Sequence, residues 1–169
     1  MTPITVDLPN EAATEQLAQR LAPLVADGGR IHLSGDLGAG KTTFARALLR
    51  ACGIKGRIKS PTFSLVEVYE DSNLYFYHFD FYRFSDPREW LDAGFREAMH
   101  ERALVLIEWA EKAGAELPAP DLEIKLQPTA NDARIATLTA YSEQGKSWIT
   151  ALFSGTAQNP DNPPQRTRP

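Results

Sequence analysis

The feature that most constrains this chain is a glycine-rich segment that follows a short apolar run. The segment GDLGAGKT, residues 35–42, matches the pattern G-x-x-x-x-G-K-[ST] at every position. Its glycines let backbone N–H groups turn inward around phosphate groups, and the helix expected after it adds a positive N-terminal end. The sequence therefore predicts a nucleotide-binding phosphate loop of the Walker A type.

The side chains of this motif have distinct expected roles. Lys41 is expected to reach the β- and γ-phosphates, the Thr42 hydroxyl to ligate Mg²⁺, and Thr43 to reach the α-phosphate. Adenine is the favoured base, because the guanine-reading Asn-Lys-x-Asp pattern of GTPases is absent from the chain. The candidate phosphate site comprises Gly35, Asp36, Leu37, Gly38, Ala39, Gly40, Lys41, Thr42 and Thr43.

The elements around the motif predict an α/β fold. A strand over residues 30–34 leads into the loop and a helix over residues 41–51 follows it, which is the context that a Walker A motif requires. Further strands are predicted at 4–8, 63–69, 74–80, 103–107, 122–126 and 134–140, and further helices after Asn10, from Pro87 and over 146–153. We expect a P-loop NTPase-like three-layer domain with a mixed, mostly parallel central sheet and an antiparallel hairpin.

Composition limits the domain count, the compartment and the partners. The 169 residues fit one domain, predicted over residues 1–154, with a proline-rich and disordered tail over 155–169. A net charge of −4 gives no general attraction to nucleic acid, so independent nucleic-acid binding is not expected. Cys52 is the single cysteine, and neither a signal peptide nor a membrane-spanning run is apparent, so the expected location is the cytoplasm without membrane contact.

Two acidic residues are candidates for the catalytic and metal site. Glu108 follows five apolar residues of the strand over residues 103–107, and Asp80 ends the strand over residues 74–80. Both therefore lie where a Mg²⁺-site acid of a phosphate-loop protein is found, at the carboxyl end of a strand beside the loop. Lys41, Asp80 and Glu108 are the catalytic candidates, and Thr42, Glu108 and Asp80 are the metal candidates. The sequence does not decide which acid ligates the metal.

Two more residues have both a functional and a structural interpretation. Thr62, after Pro61, either offers its hydroxyl to Mg²⁺ or the γ-phosphate, as switch loops do, or belongs to an ordinary strand-initiating turn. Trp109 either covers the nucleotide or packs as an ordinary tryptophan. The histidines show no spacing for metal or triad chemistry and are expected to be structural; they are His32, His78 and His100.

Four segments together resemble one protein family. GDLGAGKTTFARALL, SPTFSLVEVY, YHFDFYR and LVLIEWAEKA are similar to the TsaE (YjeE) family of bacterial ATPases for tRNA threonylcarbamoyladenosine biosynthesis, over about residues 5–140. The resemblance implies ATP and Mg²⁺ as cofactors, and the partner proteins TsaD and TsaB. It implies that hydrolysis supports turnover of their complex at position 37 of tRNA, the complex's substrate, without this chain transferring the threonylcarbamoyl group.

The resemblance also implies roles for individual residues. Lys41 and Thr42 match the phosphate-loop lysine and the Mg²⁺ ligand, and Thr62 matches a switch-like threonine. The Walker B-like acid, the second Mg²⁺-site acid and the tryptophan beside the site are matched by Asp80, Glu108 and Trp109. Ala110 stands where the family often has proline, so the loop beside the nucleotide departs from the family pattern.

The expected mechanism is hydrolysis that changes the conformation of residues 60–69 and thereby partner binding. No arginine finger is assignable in the sequence, so hydrolysis by the isolated chain is expected to be slow. Two alternatives stay open at this point. One is a small-molecule kinase in which Asp80 acts as the base, and the other is a non-catalytic adaptor that senses nucleotide by binding alone.

Overall fold

The computed structural model of the chain describes residues 2–71, 74–84, 86, 95, 98, 102–115 and 117–154. The helix predicted from Pro87, the interpretation of His100 as structural, and the tail predicted over residues 155–169 therefore lie outside the described residues.

The described residues form one mixed sheet with helices against it. Four central strands run parallel, and three outer strands run antiparallel to their neighbours, in the order β1-β7-β6-β2-β5-β4-β3. This arrangement confirms the predicted α/β class, the mostly parallel centre and the hairpin. The elements are β1 (Ile4–Leu8), α1 (Glu11–Leu21), β2 (Gly29–Ser34), α2 (Lys41–Ala51), β3 (Val66–Asp71), β4 (Leu74–Asp80), β5 (Ala103–Glu108), β6 (Leu122–Pro128), β7 (Arg134–Ala140) and α3 (Glu143–Ser154).

Strand β5 is the centre of the fold, as its apolar sequence predicts. All of its residues are buried, and it pairs in parallel with β2 on one side and β4 on the other. Because side chains alternate along a strand, Leu104 and Leu106 face the described helices, while Val105 and Ile107 face the opposite layer. Glu108 continues the first of these two sets, so its side chain lies on the helix side of the sheet.

The three described helices cover one face of the sheet. Their apolar sides, for example Leu17 in α1, Leu48 in α2 and Trp148 in α3, belong to one buried cluster with the sheet residues. The Asn10 side chain caps α1 as predicted, because its Oδ1 accepts a hydrogen bond from the Ala13 backbone N–H at 2.8 Å. No helix within the described ranges is long and apolar enough to cross a bilayer.

The opposite face carries an aromatic cluster. Phe79 packs against Phe95 with ring centroids 5.2 Å apart, and Phe81 stacks on Phe84 at 4.5 Å. Phe95 is helical, and Ala98 is a second helical residue of this layer. Phe79 of β4 and the two phenylalanines that follow it, Phe81 and Phe84, are therefore held between the sheet and this third layer.

Two predicted element starts differ from the structure by three residues because of local turns. Strand β3 begins at Val66 instead of residue 63, because Leu65 has a left-handed backbone (φ 71°) and its N–H bonds back to the Pro61 carbonyl. Helix α3 begins at Glu143 instead of residue 146, because the Ser142 hydroxyl accepts the Gly145 N–H at 3.0 Å. The first turn therefore shortens the start of β3, and the second lets α3 begin one turn earlier than its apolar periodicity predicts.

We expect the fold to lose stability in mild acid through His32, on β2. Burial first, and then the Arg30 charge, lower the pKa of His32 from 6.5 to about 4. Between pH 6.5 and pH 4, His32 is therefore protonated in the unfolded chain and neutral in the folded chain. Since the unfolded state binds more protons, the free energy of unfolding falls as the pH drops from 6.5 toward 4. From pH 7 to pH 5 the loss from this residue is about 2 kcal/mol, measured by urea unfolding of the wild type against His32→Leu. An equal fall in both proteins would contradict this assignment.

Candidate nucleotide and metal site

The carboxyl ends of β2, β4 and β5 meet at one edge of the sheet, beside the N-terminus of α2. Asp80 and Glu108 are register partners at the ends of neighbouring parallel strands, and Leu33 is the partner of Glu108 on β2. A cleft of about 260 Å³ opens over them. It is lined by Leu37, Gly38, Gly40, Lys41, Thr42, Thr43, Thr62, Asp80, Tyr82, Glu108, Trp109 and Arg134.

The phosphate loop takes a conformation that depends on its glycines. Gly35 has φ 134° and lies against β6, where an added Cβ would come within 2.3 Å of the Leu126 carbonyl oxygen. Gly38 and Gly40 also have positive φ, and α2 begins directly after Gly40. Gly35 and Asp36 present their carbonyls to Lys41. The loop therefore joins β2 to α2 as the sequence predicts.

Lys41 places a positive charge inside the cleft. Its Nζ donates to the carbonyl oxygens of Gly35 at 2.6 Å and Asp36 at 3.0 Å, and it lies 4.4 Å from the Trp109 ring centroid. Burial lowers its pKa, and the charges of Glu108 and other nearby acids oppose that shift. An ammonium has three donors, and the described residues accept from two of them, which leaves a third that can donate to an anion entering the cleft.

Glu108 is a buried carboxylate with two side-chain contacts. Thr42 Oγ1 lies 3.2 Å from each carboxylate oxygen, and His78 Nε2 lies 2.6 Å from Oε2. The side chain is almost inaccessible, at 3% exposure. These contacts join the start of α2, the end of β5 and the interior of β4.

Asp80 belongs to a separate set of contacts. Its Oδ1 accepts the Tyr82 backbone N–H at 2.9 Å, and the Thr62 hydroxyl approaches Oδ2 at 3.4 Å. Thr62 also bonds to the Ser60 hydroxyl at 2.8 Å. Burial raises the pKa of Asp80, and the nearby Glu108 charge adds to this, while the Tyr82 N–H opposes it. The structure thus pairs Asp80 with Thr62, and Glu108 with Thr42.

The two residues left open by the sequence both lie at the cleft. Thr62 is in a turn before β3, as the structural interpretation holds, and its hydroxyl also faces Asp80, as the functional one requires. Trp109 follows β5 with a left-handed backbone (φ 61°) and packs its ring against Tyr82 at 4.9 Å and over Lys41. Its indole forms a wall of the cleft.

The donors fit a Mg²⁺ ion of the kind that phosphate-loop proteins bind. No group of three His, Cys, Asp or Glu side chains forms a metal cluster within the described ranges. Such a cluster is not required, because Mg²⁺ in these proteins takes one or two protein oxygens plus phosphate and water oxygens. The 3.2 Å separation between Thr42 Oγ1 and Glu108 is close to the ~3.0 Å edge of a Mg²⁺ octahedron. Thr42 and Glu108 would therefore hold the ion.

The structure brings two further residues to this site that were not candidates in the sequence. His78 was interpreted as structural, and it contacts Glu108 from the face of β4 that it shares with Asp80, a shared face that their two-residue spacing indicates. Arg134 was only the predicted first residue of a strand. It comes to the cleft through the pairing of β7 with β6, which no local pattern reveals.

Arg134 connects the phosphate loop to the last strand. Its Nε donates to the Ala39 carbonyl at 2.6 Å and its Nη2 approaches the Gly38 carbonyl at 3.4 Å. It also separates the first cleft from a second one of about 390 Å³, and the two clefts share Gly40, Thr43 and Arg134. The second cleft is lined by Asn10, Glu11, Thr14, Gly40, Thr43, Asp132 and Arg134.

Comparisons with known proteins agree on one family. The family model described as "Threonylcarbamoyl adenosine biosynthesis protein TsaE" matches residues 8–136. A "tRNA threonylcarbamoyladenosine biosynthesis protein TsaE" from Haemophilus influenzae is 42% identical over 122 residues, which is 72% of this chain and 77% of that protein. The protein of the same name from Bacillus subtilis is 37% identical over 135 residues, 80% of this chain and 84% of that protein.

A solved structure shows the same fold. The crystal structure of Bacillus subtilis YdiB superposes with a TM-score of 0.73 and 30% sequence identity, covering 89% of this chain and 94% of that chain. This chain therefore shares its overall fold with a solved structure that is 30% identical in sequence.

We expect Arg134 to support nucleotide binding, because it holds the Gly38 and Ala39 carbonyls and so fixes the conformation of the phosphate loop. Arg134→Gln removes the charged hydrogen bonds to Gly38 and Ala39, and should weaken binding of a fluorescent ATP analogue about tenfold. The matched control is Arg102→Gln, an exposed arginine at the opposite edge of the sheet that bonds to Asp27. Equal affinities for the wild type and Arg134→Gln would show that the loop does not depend on this contact.

Proposed function

The chain belongs to the TsaE family of tRNA threonylcarbamoyladenosine biosynthesis proteins, and from this premise we propose that it binds and hydrolyses ATP with Mg²⁺ in that biosynthesis. One observation carries the proposal. The hydroxyl of Thr42, next to the phosphate-loop lysine, lies 3.2 Å from the buried carboxylate of Glu108. This is a ready pair of oxygen ligands at the end of a phosphate loop, where a nucleotide's Mg²⁺ belongs.

The residues of the cleft divide the chemistry between them. Backbone N–H groups of the loop and the Lys41 ammonium bind the phosphates, and Thr42 with Glu108 holds the metal. Mg²⁺ would neutralise charge on the β- and γ-phosphates. Asp80 is the group that orients the attacking water, because burial raises its proton affinity and its Oδ2 faces the Thr62 hydroxyl instead of the Thr42 pair.

The two adjoining clefts fit the two ends of a nucleotide. The cleft over Lys41 and Glu108 carries the charges that suit the phosphates, and the cleft beyond Gly40 and Arg134 has room for the adenosine. Thr43 lies between them, where the α-phosphate would pass. The absence of a guanine-reading motif favours ATP over GTP.

The segment after Pro61 is suited to report the state of the nucleotide to partners. Thr62 contacts Asp80 inside the cleft, while Phe63, the next residue, is 83% exposed. A change at the γ-phosphate would therefore move an exposed aromatic ring. By the family resemblance the receivers of this change are TsaD and TsaB, with tRNA as the substrate of their complex, and the threonylcarbamoyl transfer is not assigned to this chain.

The arginine at the cleft supports the expectation that the isolated chain hydrolyses ATP slowly. Within the described ranges Arg134 is the arginine that lines the cleft, and its guanidinium already bonds to loop carbonyls. A transition state on the γ-phosphate gains most from an arginine that is free to reach it. Partner proteins would therefore complete or order the site.

We expect sustained tRNA modification by a reconstituted complex with TsaD and TsaB to require hydrolysable ATP. A non-hydrolysable analogue should stop turnover after the first round, because binding alone does not return the chain to its starting state. The readouts are modified tRNA and free phosphate. Lys41→Ala should lower ATP-driven turnover about 100-fold, by analogy with the loss of one transition-state donor.

The control is Lys146→Ala, which removes an exposed lysine paired with Glu143 on α3. It should leave turnover unchanged. Equal sustained modification with ATP and the analogue would favour a nucleotide-sensing adaptor, phosphate transferred to a metabolite would favour a kinase, and normal turnover by Lys41→Ala would contradict the site.

A further inference from the structure

His78 is a polar side chain in an apolar part of the sheet. It lies in the middle of β4 with 1% exposure, its register partner is Leu106, and its preceding neighbour on the same face is Phe76. Burying an imidazole among such residues costs free energy unless its nitrogens are hydrogen-bonded. A leucine would fill the same kind of space without that cost.

The imidazole makes one hydrogen bond within the described part of the chain. His78 Nε2 lies 2.6 Å from Glu108 Oε2, and His78 Nδ1 is buried without a hydrogen-bond partner there. A carboxylate oxygen accepts hydrogen bonds, so the tautomer of His78 that fits this contact is the one with Nε2–H donating to Oε2. The short contact thus joins the polar interior of β4 to the carboxylate at the end of β5.

This contact restricts how Glu108 turns. Glu108 is two residues beyond Leu106, the register partner of His78. The imidazole therefore reaches the carboxylate along the face of the sheet, from the interior of β4, and contacts Oε2. Thr42 Oγ1 lies 3.2 Å from both Oε1 and Oε2 on the phosphate-loop side. Thr42 alone does not distinguish the two oxygens, so the contact of His78 with Oε2 is the one that sets the orientation of the carboxylate relative to Thr42.

We propose that His78 is a positioning residue of the metal site, which holds the Glu108 carboxylate in the orientation that binds Mg²⁺ together with Thr42. The inference rests on the proposed Mg²⁺-ATP function and adds to it the residue on which the metal ligand depends. Hydrogen-bond partners of metal ligands typically change metal affinity 10–100-fold when they are removed. His78 contacts Glu108 and does not line the cleft itself, so its effect on a bound metal passes through Glu108.

Four proteins test the proposal: the wild type, His78→Leu, His78→Gln and His32→Leu. The leucine at 78 removes the donor, while the glutamine places an amide N–H near the position of Nε2. His32 is the matched control, because it is a largely buried histidine on β2 that faces the opposite side of the sheet and does not contact Glu108. If His78→Leu does not fold, His78→Asn replaces it, since its shorter amide does not reach the carboxylate.

Three quantities are measured for each protein. The first is the affinity for a fluorescent ATP analogue in EDTA, and the second is the Mg²⁺ concentration that gives half of the metal-dependent gain in that affinity. The third is the thermal unfolding midpoint of the nucleotide-free protein. In His78→Leu the Mg²⁺ requirement should rise about 10–100-fold. Affinity in EDTA should stay within about twofold, because Lys41 and the loop are intact. His78→Gln should recover much of the loss, and His32→Leu should match the wild type in Mg²⁺ requirement.

The outcomes separate this inference from the proposed function. A wild type that binds the analogue without any Mg²⁺ dependence contradicts the proposed function, and the inference with it. A wild type with Mg²⁺ dependence that His78→Leu shares unchanged overturns the inference alone. Equal loss of affinity with and without Mg²⁺ in His78→Leu, accompanied by a lower unfolding midpoint, would show a purely structural histidine and would also overturn it.

Discussion

The arrangement of this site depends on the hydrogen bonds to the buried carboxylate of Glu108. A carboxylate at the end of a strand that is buried on both faces is costly unless polar groups meet it. Thr42 at the start of α2 and His78 within β4 supply those groups. Because the three residues come from three elements, satisfying one charge fixes the phosphate loop, the central strand and its neighbour relative to one another.

The second carboxylate at this edge, that of Asp80, has hydrogen-bond partners of its own. Asp80 ends the neighbouring strand at the same level as Glu108, yet bonds to the Tyr82 N–H and approaches Thr62. Two acids on one edge therefore have different surroundings, one beside the Thr42 hydroxyl and one beside an exposed turn. Under the proposed function, this difference would let Glu108 hold the metal ion while Asp80 and Thr62 respond to the γ-phosphate.

The sequence predicted those parts of the site that are encoded locally. The phosphate loop is contiguous, and the apolar run before Glu108 marks a strand end, so both were found without a structure. His78 was missed because its significance lies in a contact with a residue on another strand, and Arg134 because β7 reaches the loop only through sheet pairing. The first residues predicted for β3 were wrong because Leu65 adopts a left-handed turn. The predicted tail beyond residue 154 stays a prediction.

We propose that Thr42 and Glu108 together hold the nucleotide's Mg²⁺. A crystal structure of the chain with Mg²⁺ and a non-hydrolysable ATP analogue tests this directly. We expect one metal ion within about 2.1 Å of Thr42 Oγ1, with the Glu108 carboxylate bound to it directly or through one water, and with His78 still bonded to Oε2. A metal ion held by Asp80 without Glu108, or phosphates bound outside the loop of residues 35–42, would contradict it.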